Sequence, residues 1–482
     1  MKPFIHLFRT SKGYYFYDVN TDSILKVSQK TYNLLGKEQI SYEDMNDEMK
    51  ELLKQNYLQD NKERITEHPL TNYIDVYLKN KISSIVLQVT QNCNLRCEYC
   101  VYSGGYYNRS HLNKNMSFDI CKKAIDFLIE HSADEPHLNI GFYGGEPLLQ
   151  FPLIQKCIDY AEQNIQNKIL TFSMTTNATL LTKSMFQYFI KHNVTLTISF
   201  DGPKEAHDKY RKFANSIKGS HEIVINILKK LAEEFPDEIE NHIIINVVGD
   251  QEASFKQIND FFNKYAFFRK LQITFSLIND EFAKEKKIVS DAFVQELQYE
   301  MFKIYLKMLG KLEEQDTSLL LKTNELMTGV IRKNKVDGTR STLPRFSHHG
   351  GPCIPGNKSL FVDVEGKFLP CEKVPEDTEL YVIGNVDDGF DYEKVREMMN
   401  LEKCMSIKCH NCWAYDYCTV CAASSNCRNR FCKEEMCVNC QRIRMEVEKN
   451  FKDYCLLVEK GYDFTVEKMK KGKSIESDIL II

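Results

Sequence analysis

Residues 83–100, SSIVLQVTQNCNLRCEYC, join an apolar run to a loop that carries three cysteines. The run SSIVLQVT (83–90) predicts a strand, and Cys93, Cys97 and Cys100 follow it within eight positions. A structural zinc site is normally closed by four protein ligands, whereas this loop supplies three. The spacing therefore favours a four-iron cluster that keeps one iron without a protein ligand. A zinc loop completed from elsewhere and a chance cluster are the alternatives.

Strand-like and helix-like patterns alternate after this loop. The further strand candidates are HLNIGFY (137–143), ILTFSMTT (169–176), VTLTISF (194–200), HIIINVV (242–248) and LQITFSL (271–277). Helical patterns lie at 117–132, 152–165, 182–192, 222–235 and 254–266. Alternation of this kind predicts crossover units and a parallel sheet. Six such strands are enough for an open, partial barrel, in which the loops after the strands carry the chemistry.

The composition is that of an ordinary globular protein, with 43% hydrophobic and 27% charged residues among 482. A net charge of −4 gives no reason to expect nucleic acid as the main partner. The beginning, MKPFIHLFRT, lacks the apolar core of a signal peptide, and no apolar run is long enough to cross a membrane. We therefore expect a cytoplasmic protein.

The chain contains 17 cysteines, an odd number, and most of them are clustered. Clustered thiols in a reducing compartment indicate metal or redox chemistry rather than disulfides. Cys121, Cys157 and Cys455 stand apart from the clusters and follow apolar residues at helical spacing, so we expect them to be buried packing residues.

The spacing Cys-x3-Cys-x2-Cys after the first barrel strand, with Tyr99 before the last cysteine, resembles the radical S-adenosylmethionine (SAM) enzymes. The resemblance implies that the open iron chelates SAM and that one electron cleaves it, giving a 5′-deoxyadenosyl radical that abstracts hydrogen. A flavodoxin or ferredoxin is the electron donor that the family leads one to expect.

Three more stretches extend the resemblance across the barrel. In YGGEP, Gly144 and Gly145 allow close backbone approach, and Glu146 is implied to accept from the ammonium group of SAM. In SFDGPKEAHDKYR, Ser199 is implied to contact the ribose and Arg211 the carboxylate of SAM. Asn177, in TTNATLL, is a further candidate for this pocket. No residue stands out as a general base.

The C-terminal cysteines resemble the SPASM extension of peptide-modifying radical SAM enzymes, which carries two auxiliary four-iron clusters. CIPGNKSLFVDVEGKFLPC (353–371) predicts a hairpin with Gly366 at its turn. By resemblance, Cys353, Cys371 and Cys421 hold the first auxiliary cluster. The second is held by Cys409, Cys412 and Cys418 together with a late cysteine, Cys440 or Cys437. A zinc ribbon is the minor alternative.

The pattern departs from the family in two places. This chain has Cys418-x2-Cys421 where Cys-x3-Cys is usual, and no cysteine follows Cys353 closely. The first auxiliary cluster is therefore either open to a substrate thiolate or closed by Cys404, Cys427 or Cys432, and the sequence leaves this undecided.

The N-terminal residues predict three short strands and two helices, the first helix capped by Ser28 and ended by Gly36. This winged-helix-like unit resembles the RiPP recognition element, which binds the leader of a ribosomally made precursor peptide as an added strand. A structural cap on the barrel is the alternative. The predicted units are the recognition element (1–75), the barrel (80–310), a helical connector (311–350), the SPASM domain (351–455) and a tail (456–482).

Together these resemblances imply a cytoplasmic peptide maturase that installs cysteine thioether cross-links, as sactipeptide and ranthipeptide synthases do. The alternatives on the same scaffold are C–C or C–O cross-links, epimerisation, and formation of formylglycine in a sulfatase. A non-catalytic iron–sulfur or zinc protein is the remote alternative, and it leaves Glu146 and Arg211 without a purpose.

Overall fold

The computed structural model describes residues 2–62, 64–102, 105–106, 111–279, 283–322, 343–349, 353–424, 430–431 and 433–464. The strands are β1 (Ile5–Arg9), β2 (Tyr14–Asp18), β3 (Ser23–Val27), β4 (Ile65–Thr66), β5 (Ser84–Thr90), β6 (His137–Gly144), β7 (Ile169–Thr176), β8 (Val194–Ser199), β9 (Ile243–Gly249), β10 (Gln272–Leu277), β11 (Phe346–Ser347), β12 (Leu360–Val362), β13 (Lys367–Leu369), β14 (Gly384–Asn385) and β15 (Gly389–Phe390). The helices are α1 (Gln29–Leu35), α2 (Asp47–Lys54), α3 (Ile74–Asn80), α4 (Phe118–Glu130), α5 (Phe151–Asn164), α6 (Lys183–Lys191), α7 (Lys204–Tyr210), α8 (His221–Glu234), α9 (Ile239–His242), α10 (Phe255–Lys264), α11 (Asp291–Met308), α12 (Tyr392–Met399), α13 (Ser406–His410), α14 (Lys433–Val438) and α15 (Cys440–Glu459).

The central sheet is mostly parallel and is built from the six predicted strands. Its order is β10-β9-β8-β7-β6-β5, and each of these strands is parallel to its neighbours. Every residue of β5 is buried, as expected of a strand covered on both faces. The predicted strand positions are confirmed to within about one residue, because long β-branched runs mark buried strands strongly.

The C-terminal part extends this sheet instead of forming a separate one. Strand β12 pairs in parallel with β5, and β13, β14 and β15 continue the sheet in antiparallel pairs. The predicted hairpin at 353–371 is confirmed as β12 and β13, with Gly366 at its turn. The C-terminal part therefore adds directly to β5, the strand that leads into the three-cysteine loop.

The N-terminal residues form an antiparallel sheet in the order β1-β2-β3, packed against α1 and α2. Its apolar cluster is distinct from the main core and consists of Phe16, Val27, Leu35, Ile40, Met45, Met49 and Leu58. Ser28 caps α1 by accepting from the Thr31 N–H, and Gly36 ends the helix, as predicted. The pattern YEDMNDEMKELLKQNYL (42–58) predicts a longer second helix than the structure shows, since α2 spans Asp47–Lys54.

This N-terminal sheet contacts the C-terminal helix. The His6 ring on β1 stacks on Trp413 with a centroid distance of 3.6 Å, and His6 Nε2 lies 3.0 Å from a Glu448 oxygen of α15. Further along α15, Glu459 accepts hydrogen bonds from Thr10 and Tyr15. Because His6 and Phe8 lie two positions apart on β1 and Phe8 pairs with Tyr15 of β2, the side chains that contact α15 lie on one face of this sheet.

Part of the predicted connector and tail lies outside the described residues. Within 311–322 and 343–349 the chain forms short 3-10 turns and β11, without an α-helix in those two stretches. Residues 323–342, 350–352 and 465–482 are not described. Among the helices that the structure does describe, each is too short or too polar to span a bilayer.

Candidate functional site

The three cysteines of the loop after β5 come together in a buried place. Burial raises the pKa of the Cys93 and Cys97 thiols to about 12, and the charges of the neighbouring thiols, Cys100 among them, add to the shift. The Leu95 N–H points at Cys93 Sγ at 3.3 Å, and the Cys100 N–H donates to the Cys97 carbonyl at 3.0 Å. The loop therefore turns its sulfurs towards one another and supplies an N–H donor to one of them.

The spacing of these sulfurs tests which group they fit. Sulfurs that share one tetrahedral zinc ion lie about 3.8 Å apart, given a Zn–S bond of about 2.3 Å. In the described part of the chain, the three loop sulfurs are not all within 4.8 Å of one another. Three separated thiols, one of them with an N–H donor, suit the corners of a multi-iron cluster better than a single ion.

The glycines of YGGEP bring two loops into backbone contact. A Cβ on Gly144, whose φ is +141°, would lie 2.0 Å from the Thr90 carbonyl oxygen, and a Cβ on Gly145 would lie 2.1 Å from that of Asn92. The Gly145 and Glu146 N–H groups donate to these same two carbonyls at 2.8 and 2.9 Å. The predicted close approach is confirmed, and it fastens the loop after β6 to the cysteine loop.

Glu146 is fully buried at the end of β6 and is held by three donors of this chain. Its Oε1 accepts from the Leu148 N–H at 3.0 Å and the Thr176 hydroxyl at 2.6 Å, and its Oε2 accepts from the Asn177 N–H at 2.8 Å. Burial raises its pKa, although these hydrogen bonds oppose the shift. A carboxylate has about four acceptor positions, so Oε2 keeps one for a further donor.

Asn177, at the end of β7, reaches the cysteine loop directly. Its Nδ2 lies 3.8 Å from Cys93 Sγ and donates to Asn94 Oδ1 at 2.9 Å, while its Oδ1 accepts from Thr179. Asn94 donates in turn to the Thr179 hydroxyl at 2.8 Å, so that Asn177, Asn94 and Thr179 form one hydrogen-bonded network. Asn94 and Thr179 were not singled out by the sequence, although both lie inside the stretches that were.

Arg211 and Tyr99 meet on a residue that the sequence analysis passed over, Asp201. Arg211 Nε and Nη2 donate to the two Asp201 oxygens at 2.7 and 3.2 Å, and the Tyr99 hydroxyl hydrogen-bonds to Asp201 Oδ2. The Arg211 guanidinium carbon lies 5.2 Å from the Tyr99 ring centroid. Asp201 stands two residues after Ser199, the last residue of β8. An acidic residue just after an apolar strand is the sequence feature that could have identified Asp201 as a site residue.

The first C-terminal thiol group contains the three cysteines expected in it. Burial raises the pKa of Cys371 to about 12. The charge of Glu372 and, to a smaller degree, the charges of the neighbouring Cys353 and Cys421 thiols add to this shift. Burial also raises the pKa of Cys353, again with Cys421 beside it. Cys353, Cys371 and Cys421 therefore lie together. Cys427 and Cys432, proposed as possible additions, lie outside the described residues.

The second C-terminal thiol group has four members. Burial raises the pKa values of Cys409 and Cys418, and the charges of Cys412 and Cys440 raise both values further. Cys437 hydrogen-bonds to Cys440, and its Sγ also lies 3.4 Å from the Met405 sulfur and 3.5 Å from Lys408 Nζ. Its charge is not among those that shift the pKa values of Cys409 and Cys418. Of the two late cysteines, the fold brings Cys440 to this group.

The cysteines outside these groups differ in their surroundings. Cys404 Sγ donates to the Leu401 carbonyl at 3.0 Å and lies 3.5 Å from the Met436 sulfur. Cys121, Cys157 and Cys455 are each at most 3% exposed and belong to the main apolar core. The prediction that these three are packing residues is confirmed.

A carboxylate from the C-terminal part reaches the barrel strand that leads into the cysteine loop. Glu376 accepts from Gln88 Nε2 of β5 at 2.8 Å and from the Tyr102 hydroxyl at 2.6 Å. Gln88 is fully buried. The sequence gives no signal for this contact, because the two partners are separated by 288 positions.

Comparisons with known proteins agree with this site. Residues 87–262 match the model of the Radical SAM superfamily. With the three-cysteine loop at the end of β5, this match identifies that stretch, and most of the parallel sheet with it, as a member of the radical SAM superfamily. Its relatives include enzymes that modify peptides or proteins.

Two relatives show how far the likeness extends. A cysteine-type anaerobic sulfatase-maturating enzyme of Clostridium novyi is 25% identical over 349 residues, which are 70% of this chain and 86% of that protein. The radical SAM cyclopropyl synthase TigE of Paramaledivibacter caminithermalis is 28% identical over 237 residues, 46% of this chain and 47% of TigE. The match therefore spans less than half of TigE.

The fold is shared with a solved sulfatase-maturating enzyme. The structure of native anSMEcpe with bound AdoMet and Cp18Cys peptide superposes with a TM-score of 0.57 at 17% identity, covering 78% of this chain and 98% of that one. At this identity the likeness concerns the fold, a radical SAM α/β architecture around a mostly parallel sheet.

Proposed function

We propose that this chain is a radical SAM peptide maturase that installs thioether cross-links between cysteines and acceptor residues of a precursor peptide. The observation that carries the proposal is the gathering of two further thiol groups, Cys353 with Cys371 and Cys421, and Cys409 with Cys412, Cys418 and Cys440. A chain that needed only SAM cleavage would have no use for them.

The loop cysteines Cys93, Cys97 and Cys100 are assigned to a [4Fe-4S] cluster, which with SAM supplies hydrogen-atom abstraction when both are bound. Raised thiol pKa values mean that these groups are protonated until iron binds, so loading releases protons. The Leu95 N–H then stabilises the Cys93 thiolate.

The residues around the cluster are assigned to SAM. Glu146 Oε2 retains an acceptor position suited to the ammonium group, and Asn177 bridges from Glu146 to Cys93. Arg211 has five N–H donors, of which Asp201 takes two and Cys97 takes another, so the guanidinium still has donors for a carboxylate. Ser199 and Tyr99 are assigned to the same pocket, towards the ribose and the nucleoside.

The two thiol groups of the C-terminal part are assigned to auxiliary clusters with different tasks. The group of four, which includes Cys440, has a thiol for each iron of a cubane. The group around Cys371 has three thiols among the residues that the structure describes, which suits a cluster that binds a cysteine thiolate of the peptide. Coordination there would keep that thiol deprotonated.

The N-terminal sheet is assigned to the leader of the precursor. Its two edges are β1 and β3, each of which pairs with β2 alone in the described structure. We assign the leader to β3, since the contacts of α15 are with β1 and β2. An extended peptide adds to such an edge through backbone hydrogen bonds. The same proposal has three further parts. The N-terminal unit is winged-helix-like, the electron donor is a flavodoxin or ferredoxin, and the protein is cytoplasmic.

Sulfatase maturation is the second candidate, because the match to the Clostridium novyi enzyme spans 86% of that protein. In that reaction the substrate is a segment of a sulfatase, and no leader-binding edge is needed. The two candidates therefore differ in whether β3 takes part in substrate binding.

Incubation of the reconstituted chain with SAM, a reductant and a cysteine-rich peptide encoded beside its gene separates these functions. Thioether formation removes two hydrogens per bridge and leaves the peptide thiols resistant to alkylation. Loss of hydrogens with every thiol still alkylatable would point to C–C or C–O links, and modification of a sulfatase peptide alone would point to formylglycine. Release of 5′-deoxyadenosine should stop in Cys97→Ala, and its persistence would exclude the radical SAM site.

A further inference from the structure

Two histidines and a glutamate lie together in the C-terminal part beside the thiol group of four, since the charge of Glu402 adds to the raised pKa values of Cys409 and Cys418. In the part of the chain that the structure describes, His348, His349 and Glu402 form the single group of three metal-binding side chains whose ligand atoms all lie within 4.8 Å. The two histidine side chains are 5% and 3% exposed, and the Glu402 side chain is 0% exposed. These residues come from two segments of the chain that are 53 positions apart.

The hydrogen bonds of the two rings define which nitrogens carry protons. His348 Nδ1 lies 2.8 Å from the His349 carbonyl oxygen, and His349 Nε2 lies 2.5 Å from the Val420 carbonyl oxygen. A carbonyl oxygen can only accept, so each of these nitrogens is the one that donates. In the neutral rings, His348 Nε2 and His349 Nδ1 are then lone-pair acceptors.

Both lone pairs face the same carboxylate oxygen. His348 Nε2 is 3.6 Å from Glu402 Oε2 and makes no hydrogen bond within the described chain, and His349 Nδ1 is in direct contact with that oxygen. Three buried acceptor atoms thus point at one another, although Glu402 Oε2 also accepts from the His349 N–H at 2.9 Å. Such an arrangement is unfavourable in a low-dielectric interior unless a proton or a metal cation lies among them.

The surroundings are those of a metal site. Histidines that bind metals usually donate their other ring N–H to a backbone carbonyl or a carboxylate, as His348 and His349 both do. Glu402 Oε1 in turn accepts from the Tyr415 hydroxyl at 2.8 Å, which orients the carboxylate. Nitrogen and oxygen ligands on one zinc ion lie about 3.3 Å apart, close to the 3.6 Å between His348 and Glu402.

We propose that His348, His349 and Glu402 bind one divalent transition-metal ion of the zinc type, distinct from the iron–sulfur clusters. Two nitrogens and one carboxylate oxygen suit zinc and are unsuited to iron–sulfur clusters, which are held by thiolates. The described residues supply three ligands, so a fourth position is left for a water. The ion would tie the chain after β11 to the segment that precedes α13, and it is independent of the proposed peptide chemistry.

The experiment uses the full chain with its clusters reconstituted anaerobically, so that the cysteines are occupied by iron before zinc chloride is added. After removal of loose metal, we expect about one zinc per chain with X-ray absorption showing only N/O ligands at about 2.0–2.1 Å. His348→Gln and Glu402→Gln should each lose this zinc while retaining their iron. His68→Gln is the matched control, because the His68 ring packs against His348 at 5.2 Å but its Nδ1 accepts from the Leu70 N–H.

Three results would overturn the proposal. One is less than about a fifth of a zinc per chain in the wild type, and another is zinc with sulfur at about 2.3 Å, which would mean binding by spare cysteines. The third is a Glu402→Gln chain that retains zinc as well as the His68→Gln control does. Should both ligand variants fail to fold, the absorption spectrum of the wild-type chain decides the matter alone.

Discussion

Replacing Asp201 by asparagine tests whether the buried Asp201–Arg211 ion pair holds the wall of the cofactor pocket. The two side chains are 3% and 7% exposed, and Arg211 Nε lies 2.7 Å from the carboxylate. Removal of one partner from a buried pair costs about 3–5 kcal/mol, because the other charge is left buried and uncompensated. For a domain of 150–250 residues, each kcal/mol corresponds to about 2–4 °C, so the melting temperature should fall by about 6–20 °C.

The assay is anaerobic thermal unfolding of the reconstituted chain, followed by circular dichroism. Glu234→Gln is the control, because it makes the same change of carboxylate to amide in an exposed ion pair with Lys183, where the side chains are 41% and 59% exposed. Such surface pairs contribute about 0–1 kcal/mol, so this variant should melt within about 4 °C of the wild type.

A double variant separates loss of the pair from damage to the fold. When Arg211 is also replaced, in Asp201→Asn with Arg211→Met, no uncompensated charge remains and much of the lost stability should return. Two outcomes would refute a stabilising role for this ion pair. One is an Asp201→Asn chain that melts like the Glu234→Gln control. The other is a double variant that loses more stability than the two single variants lose together.

The pH dependence supplies a second check on the same pair. Burial alone would raise the pKa of Asp201, but the Arg211 guanidinium holds it below its usual value. A carboxyl whose pKa is lowered by folding stabilises the protein above its unfolded pKa, about 3.9, and this stabilisation is lost as the pH falls through the folded pKa. The difference between wild type and Asp201→Asn should therefore be constant from about pH 5 to 8 and shrink below about pH 4.

Three other predictions follow from the proposed function. Iron content should fall from about twelve to about eight atoms per chain in Cys440→Ser and stay near twelve in Cys437→Ser, and equal losses in both would contradict the assignment of Cys440 to the group of four. Glu146→Gln should weaken SAM binding by about 10- to 150-fold in equilibrium dialysis, since a hydrogen bond to a charged group is worth about 1.5–3 kcal/mol, and unchanged binding would remove Glu146 from the pocket. Addition of the precursor should slow amide exchange in Ser23–Val27 more than in Ile5–Arg9, and protection of Ile5–Arg9 alone would place the leader on the other edge.

Local patterns were sufficient for the parallel sheet and the cysteine loop. The six strands were predicted because runs of apolar residues alternate with helical patterns, and such patterns depend only on neighbours along the chain. The spacing of Cys93, Cys97 and Cys100 is equally local, since one tight loop holds all three. Burial of Cys121 and Cys157 followed from helical periodicity.

The tertiary structure decided which distant groups meet. Asp201 pairs with Arg211 because the turn after β8 folds α7 back over it, and Glu376 reaches Gln88 because β12 adds to the edge of the sheet at β5. Cys440 and Cys437 lie on neighbouring helices, and only the packing of those helices determines that the Cys440 thiol joins Cys409 and Cys418.

The physical reason is the same in each case. A sequence pattern reports the periodicity with which residues become buried, which is a property of one helix or strand. It carries no information on which two buried polar groups will share a hydrogen bond or a metal, because that depends on the packing of segments such as those of His349 and Glu402, 53 positions apart. Sequence patterns were therefore enough for the six parallel strands and the three-thiol loop, whereas the partners of the charged and metal-binding groups depend on how the elements pack.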